Sequence, residues 1–283
     1  MSSLRRNWNR LKSYLGRPRM IVQSNAVVLS EHEPCAAPLF VLGPMRSGTS
    51  LVRRMLNSHP DIACPPESYF IDRYAAMAQD EQVLAGYEGL GFSRNAAIED
   101  LARKAGELHE AFRITQGKAL WADKTPPYTR KVDAIDALFG ERPRYLLVWR
   151  HPWDAAHSLK ERGWYLEGED DPLAAALHYV RENFETMRRF ADANPGRCAE
   201  LRYARLCADP AGEFTPALAH LGLEWHPDML EFGTKEHNFG TEDPLVRGQK
   251  SIRPSSGAWK SWSEAERKRA LDIIDPADWP DVA

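Results

Sequence analysis

An α/β fold with a central parallel sheet, flanked by helices on both faces, is predicted by three observations. The stretch Pro38–Ser50 runs from a short apolar segment through a glycine-containing turn into a helical pattern. A second apolar run, Tyr145–Trp149, is continuous rather than alternating, as befits a strand buried on both faces, and a helical pattern follows it. Strand-like and helix-like segments then keep alternating to about residue 221, the signature of βα units in a parallel sheet.

The elements follow in order. Ile21–Leu29 reads as an edge strand, and residues 31–38, with Pro34 and Pro38, as a linker. Leu39–Leu42 is the first core strand. Ser47–Asn57 reads as a helix with Leu51, Met55 and Leu56 on one side; it ends before Pro60, which disfavours helix at the preceding residue. A loop then carries Cys64-Pro65-Pro66-Glu67-Ser68. Residues 71–114 are mainly helical and polar, with breaks expected at Gly86, Gly89 and Gly91. Trp121–Pro126 ends a short segment, and Tyr128–Phe139 has helical periodicity. Helices over Pro152–Lys160 and Leu173–Ala193, a strand near Cys198–Arg202 and a helix near Phe214–Leu221 complete the alternation. The domain expectation is a basic arm and linker over 1–37, then a single domain over 38–283 with a substrate-facing insert at about 71–120.

Composition limits the function. The formal net charge of -3 argues against a general nucleic-acid binder, whose footprint is strongly basic. No apolar stretch reaches the roughly 18 residues of a transmembrane helix. Arg5, Arg6, Arg10, Lys12, Arg17 and Arg19 precede no continuous apolar segment, so no secretory signal is expected and no stable membrane insertion. The four cysteines show no C-x-x-C pair and no metal-ligand spacing, which fits a reduced, cytoplasmic setting.

Two motifs carry the chemistry. Gly43 and Gly48 have the G-x-x-x-x-G spacing of a phosphate-binding loop, making the fold P-loop-like, but Thr49 stands where that loop has lysine and Arg46 lies inside the turn. A strand-to-helix turn of this kind aims backbone N–H groups and a helix N-terminus at one anion. The second motif is Arg150-His151-Pro152-Trp153-Asp154-Ala155-Ala156-His157-Ser158, in which Arg150 leaves the end of a strand. Ser158 follows about two helical turns later, positioned to share one anion with the guanidinium. Two anion-binding devices at carboxyl ends of parallel strands, where open α/β sheets bind ligands, reinforce each other. Asp154 is expected to cap or brace the helix after Pro152.

Taken together, these residues resemble the sulfotransferases that use 3′-phosphoadenosine 5′-phosphosulfate (PAPS), with closest agreement to the tyrosylprotein branch and related bacterial enzymes. The resemblance covers about residues 38–68 and 121–262. It implies that Arg46, Ser47, Gly48, Thr49 and Ser50 hold the 5′-phosphosulfate. Arg150, Ser158 and Arg162 would hold the 3′-phosphate, with Tyr203 and Lys260 as further nucleotide contacts. Glu67, 21 residues after Arg46, matches the catalytic glutamate, although Pro66 stands where the branch has a second glutamate. Lys124 matches a lysine that stabilises the transferring sulfuryl group, and Ser251 loosely matches a transition-state serine. His151 and His157 are the competing bases, by analogy with the cytosolic sulfotransferases.

The expected activity is therefore sulfuryl transfer from PAPS to a hydroxyl of a small-molecule acceptor, a natural product or carbohydrate, without a metal. A P-loop small-molecule kinase and a catalytically silent nucleotide-binding protein are the alternatives. The tyrosylprotein branch is dimeric, which makes a homodimer an expectation of the resemblance; the residues themselves leave the oligomeric state open.

Overall fold

The structure, a computed structural model, describes residues 35–164, 170–237 and 248–279. Its centre is a five-stranded sheet built from β1 (Leu39–Leu42), β2 (Ile62–Ala63), β3 (Leu120–Asp123), β4 (Arg144–Trp149) and β5 (Cys198–Arg202). The strand order is β2-β3-β1-β4-β5 and every pairing is parallel. All four residues of β1 are buried, and Tyr145–Trp149 of β4 likewise. This explains why both read as continuous apolar runs: neither face meets water. Phe40 anchors the core, its ring meeting Trp121, Phe139 and Tyr145 at centroid distances of 5.7, 5.8 and 6.0 Å.

The topology decides where a ligand binds. From β1 the chain moves out to β2 and back to β3 on one side of β1, then crosses to β4 and β5 on the other. The carboxyl end of β1 is thus the point at which the direction of winding reverses, where open α/β sheets hold their ligands.

Ten α-helices occur among the described residues. Helix α1 (Thr49–Ser58) follows β1 and buries Leu51, Val52, Met55 and Leu56; it stops at His59, whose extended backbone precedes Pro60. The insert holds α2 (Ile71–Met77), α3 (Glu81–Gly89) and α4 (Arg94–Thr115), with Asp80 and Ser93 capping the N-termini of α3 and α4. A 3₁₀ turn, Pro126–Lys131, leads into α5 (Val132–Phe139). After β4 come α6 (Pro152–Arg162) and α7 (Pro172–Ala193), each with proline in its first turn, where the missing N–H costs no hydrogen bond. Helices α8 (Tyr203–Ala208) and α9 (Pro210–His220) follow β5, and α10 (Glu264–Ile273) lies near the C-terminus.

Several expectations are corrected. Gly86 lies inside α3 and breaks nothing. Tyr128–Phe139 is a 3₁₀ turn followed by a helix rather than one element. The last predicted helix starts at Pro210, not Phe214. β2 spans only two residues, too few to show a period, and was not anticipated. The edge strand expected at Ile21–Leu29 lies outside the described residues. All four cysteines are free, and burial pushes the Cys64 thiol up to about 12, so it stays protonated at neutral pH.

Candidate active site

At the carboxyl end of β1 the chain must turn sharply to enter α1. Two residues absorb the turn in the left-handed region, Arg46 at φ +69° and Gly48 at φ +96°. A non-glycine residue there is uncommon and carries strain, which the surrounding structure must hold in place. It does so through polar contacts. Gly43 N donates to Thr129 Oγ1 (2.9 Å), Met45 N to the Tyr179 hydroxyl (3.1 Å) and Ser47 Oγ to Pro44 O (2.7 Å). Gly48 packs so closely on Tyr203 that a Cβ would lie 2.3 Å from the ring. Only glycine meets both demands. Gly48 caps α1 without a side chain; its carbonyl accepts from Leu51 N at 3.0 Å, and the N–H groups ahead of Leu51 have no acceptor within the helix.

The second motif comes to the same place. Arg46 Nε donates to Ser158 Oγ at 2.9 Å, from the loop after β1 to helix α6. Arg150, at the end of β4 and buried, donates from Nη1 to the Arg46 carbonyl at 2.5 Å and from Nη2 to the Ser255 carbonyl. Its guanidinium lies 4.8 Å from the centroid of the Tyr203 ring, whose hydroxyl donates to Arg253 O at 3.4 Å. Burial lowers the pKa of Arg150, which is still too high for the group to lose its charge near neutral pH. Arg150 Nε is buried with no hydrogen-bond partner among the described residues. A buried guanidinium with an unused donor fits an anion.

The third wall is the loop after β2 and the end of β3. Lys124, 2% exposed, donates to Glu67 Oε1 and to Ser50 Oγ, the latter at 3.3 Å. The Glu67 side chain keeps 22% of its surface exposed. Its second oxygen, Oε2, accepts from the Tyr69 hydroxyl. The loop is pinned directly after Glu67: Ser68 N donates to Thr125 Oγ1 (3.0 Å), Ser68 Oγ bonds the Tyr128 hydroxyl (2.7 Å), and Ile71 N donates to that same hydroxyl (2.8 Å). The loop after β1 thus carries Arg46 itself, meets Arg150 through the Arg46 carbonyl and meets Lys124, with its partner Glu67, through Ser50. This excess of positive charge is suited to a multiply charged anion.

A sequence model of the sulfotransferase family matches residues 38–227, which span the loop after β1, the Lys124–Glu67 pair and the Arg150–Ser158 motif. The chain belongs to the sulfotransferase family. It is 34% identical to the nodulation protein NoeE of Sinorhizobium fredii over 131 residues, 43% of this chain and 30% of that protein. It is 27% identical to a putative protein-tyrosine sulfotransferase of Caenorhabditis briggsae over 200 residues, 68% of each. With protein-tyrosine sulfotransferase 2 of Gallus gallus the identity is 25%, covering 68% of this chain and 53% of that one. The chain thus spans less than two thirds of NoeE and of the chicken protein. The fold matches the sulfotransferase domain of the Synechococcus PCC 7002 olefin synthase with a TM-score of 0.65 at 20% identity, covering 88% of this chain and 96% of that one.

The other expected site residues are placed as follows. Ser47 and Thr49 are buried in the loop and the first turn of α1. The Arg162 guanidinium lies 5.7 Å from the Trp164 ring centroid, and Arg46 lies 5.6 Å from that same ring, so Trp164 joins the two motifs. Lys260 is exposed on the short 3₁₀ helix Ala258–Ser261, and Ser251 is exposed upstream. Asp154 braces rather than caps: its Oδ1 accepts from Ala258 N at 3.1 Å, tying α6 to the C-terminal segment. His157 Nδ1 accepts from Trp262 Nε1 at 2.9 Å, and the His151 ring stacks on Trp259 at 5.3 Å. Both histidines are engaged with tryptophans of the C-terminal segment. Tyr69, Thr129, Trp164 and Tyr179 contact the expected site residues without being anticipated. Of these, only Tyr69, two residues after Glu67, carried a local signal.

Proposed function

We propose that this sulfotransferase takes its sulfuryl group from PAPS and transfers it to a hydroxyl of a small-molecule acceptor, a natural product or carbohydrate. The observation that carries the reading is the meeting of Arg46 and Ser158, with Arg150 on the Arg46 carbonyl. One ligand bearing a 5′-phosphosulfate and a 3′-phosphate would satisfy both motifs at once. Arg46, Ser47, Gly48, Thr49 and Ser50 would hold the 5′ end. Arg150, Ser158 and Arg162 would hold the 3′-phosphate, with Tyr203 and Lys260 as further nucleotide contacts.

The chemistry assigned to the residues follows from their charges. Glu67, held between Lys124 and an exposed opening, accepts the proton of the incoming hydroxyl as its oxygen bonds to sulfur. Lys124 and Arg46 stabilise the sulfuryl oxygens and the departing phosphate. The transferring group carries a single negative charge, so these cations suffice without a divalent metal. A partly exposed carboxylate beneath one tyrosine suits a hydroxyl on a small acceptor.

The test is calorimetry with adenosine 3′,5′-bisphosphate and with AMP. Preference for the bisphosphate by roughly tenfold or more, the worth of one charge-assisted contact, supports the reading. Equal affinities would remove the 3′-phosphate assignment. An acceptor panel of sugars, phenols and tyrosine peptides then identifies the hydroxyl.

A further inference from the structure

The base proposed for transfer is already engaged by a hydroxyl. Tyr69 Oη donates to Glu67 Oε2 while Lys124 holds Oε1, and Lys124 in turn reaches Ser50 in the loop assigned to the phosphosulfate. Phenol, carboxylate, ammonium and anion loop therefore form one connected series. An acceptor's hydroxyl must make this bond to Glu67 before it can lose its proton.

Two further observations set Tyr69 apart from an ordinary loop tyrosine. Its backbone sits at φ +56°, a conformation that costs a bulky residue energy and that persists here because Ser68 and Ile71, on either side, are both tied to Tyr128. It is also 56% exposed, so burial of its ring does not account for the strain. Desolvation and the neighbouring Glu67 both raise its pKa, and the phenol keeps its proton at neutral pH. An acceptor arrives in that same state.

Resting on the reading of Glu67 as base and PAPS as donor, we propose that Tyr69 is a self-sulfation site, taking the sulfuryl group when no external acceptor displaces it. The Tyr69 O–H bond breaks and its proton passes to Glu67. The phenolic oxygen bonds to sulfur as the bond between sulfur and the phosphate oxygen breaks, and adenosine 3′,5′-bisphosphate leaves with that electron pair. Tethering the phenol two residues from the base replaces a bimolecular encounter with an intramolecular one.

The experiment incubates the full chain with PAPS, with and without para-nitrophenol, and reads intact mass and a peptide map. The expected result is a gain of one sulfuryl group on the peptide containing Tyr69, absent in Tyr69→Phe and reduced by added para-nitrophenol. In Glu67→Gln the gain should form roughly 10²- to 10⁴-fold more slowly. A gain on another residue, a gain that persists in Tyr69→Phe, or no gain at all overturns the proposal. Nitrophenyl sulfate formed without any mass gain on the chain refutes self-sulfation and leaves the transfer reading standing. Loss of both products together with equal binding of bisphosphate and AMP removes both readings.

Discussion

Arg46 Nε lies 2.9 Å from Ser158 Oγ, a contact between residues 112 apart in sequence. It brings together the two motifs proposed to bind one anionic ligand, which begin on different strands. Arg150 reinforces the join by donating to the Arg46 carbonyl. A ligand that engages one motif is therefore in reach of the other.

Replacing Arg150 should be felt most by ligands with a 3′-phosphate. In Arg150→Ala the affinity for adenosine 3′,5′-bisphosphate should fall by about 1.5–3 kcal/mol relative to that for AMP, the range for a hydrogen bond to a charged group. Taking the ratio of the two affinities by calorimetry cancels any general loosening of the loop. An unchanged ratio would place the 3′-phosphate elsewhere.

Glu67→Gln should separate binding from chemistry. Bisphosphate affinity should hold while the turnover number drops roughly 10²- to 10⁴-fold. The substitution also leaves Lys124, whose side chain is 3% exposed, without its counter-charge, so a lower melting temperature is expected alongside. Near-wild-type turnover in Glu67→Gln, with loss in His157→Ala or His151→Ala, would transfer the role of base to a histidine.

Gly48→Ala meets two obstacles. Its Cβ would lie 2.3 Å from Tyr203 Cδ2, and φ +96° is strained for any side chain. The variant should lose about 1–3 kcal/mol of stability and bind the bisphosphate more weakly. Adding Tyr203→Ala relieves the clash but not the backbone strain, so it should restore only part of the loss on thermal melting. Full restoration would show that φ is unimportant.

Transfer should continue in excess EDTA, because Arg46 and Lys124 supply the charge that Mg²⁺ supplies to phosphoryl donors. Loss of activity on chelation and its recovery with Mg²⁺ would favour the kinase alternative.

Acid should destabilise the fold through His237. This residue is 2% exposed; its Nδ1 accepts from Asn57 (3.0 Å) and its Nε2 donates to Phe232 O (3.0 Å), an arrangement of the neutral ring. Burial, with Arg53 and Arg54 nearby, lowers its pKa from 6.5 to about 4. The unfolded chain thus binds the proton more readily. Stability is complete above pH 6.5 and is lost as the pH falls toward 4, by about 3 kcal/mol at most from this group. His237→Gln should flatten that slope in denaturant titrations across the window, even if it lowers the stability itself.

What the sequence by itself determined lies within short windows. The apolar runs of β1 and β4, the glycine turn after β1, and Arg150 with Ser158 on the following helix all depend on periodicity or on residues less than a dozen positions apart. Such signals were enough for the parallel α/β fold and for placing each of the two motifs at the end of a strand. Tertiary structure alone decided the rest. The position of β1 between β3 and β4, the two-residue β2, the Arg46–Ser158 contact and the meeting of Lys124 with Glu67 across 57 residues leave no local pattern. They arise where crossovers bring the ends of different strands together, and a residue's neighbours across a sheet are set by strand order rather than by distance along the chain. Tyr69 shows the same division: its place two residues after Glu67 is plain in the sequence, but its left-handed backbone and its bond to the carboxylate belong to a loop whose flanking Ser68 and Ile71 are held by the distant Tyr128.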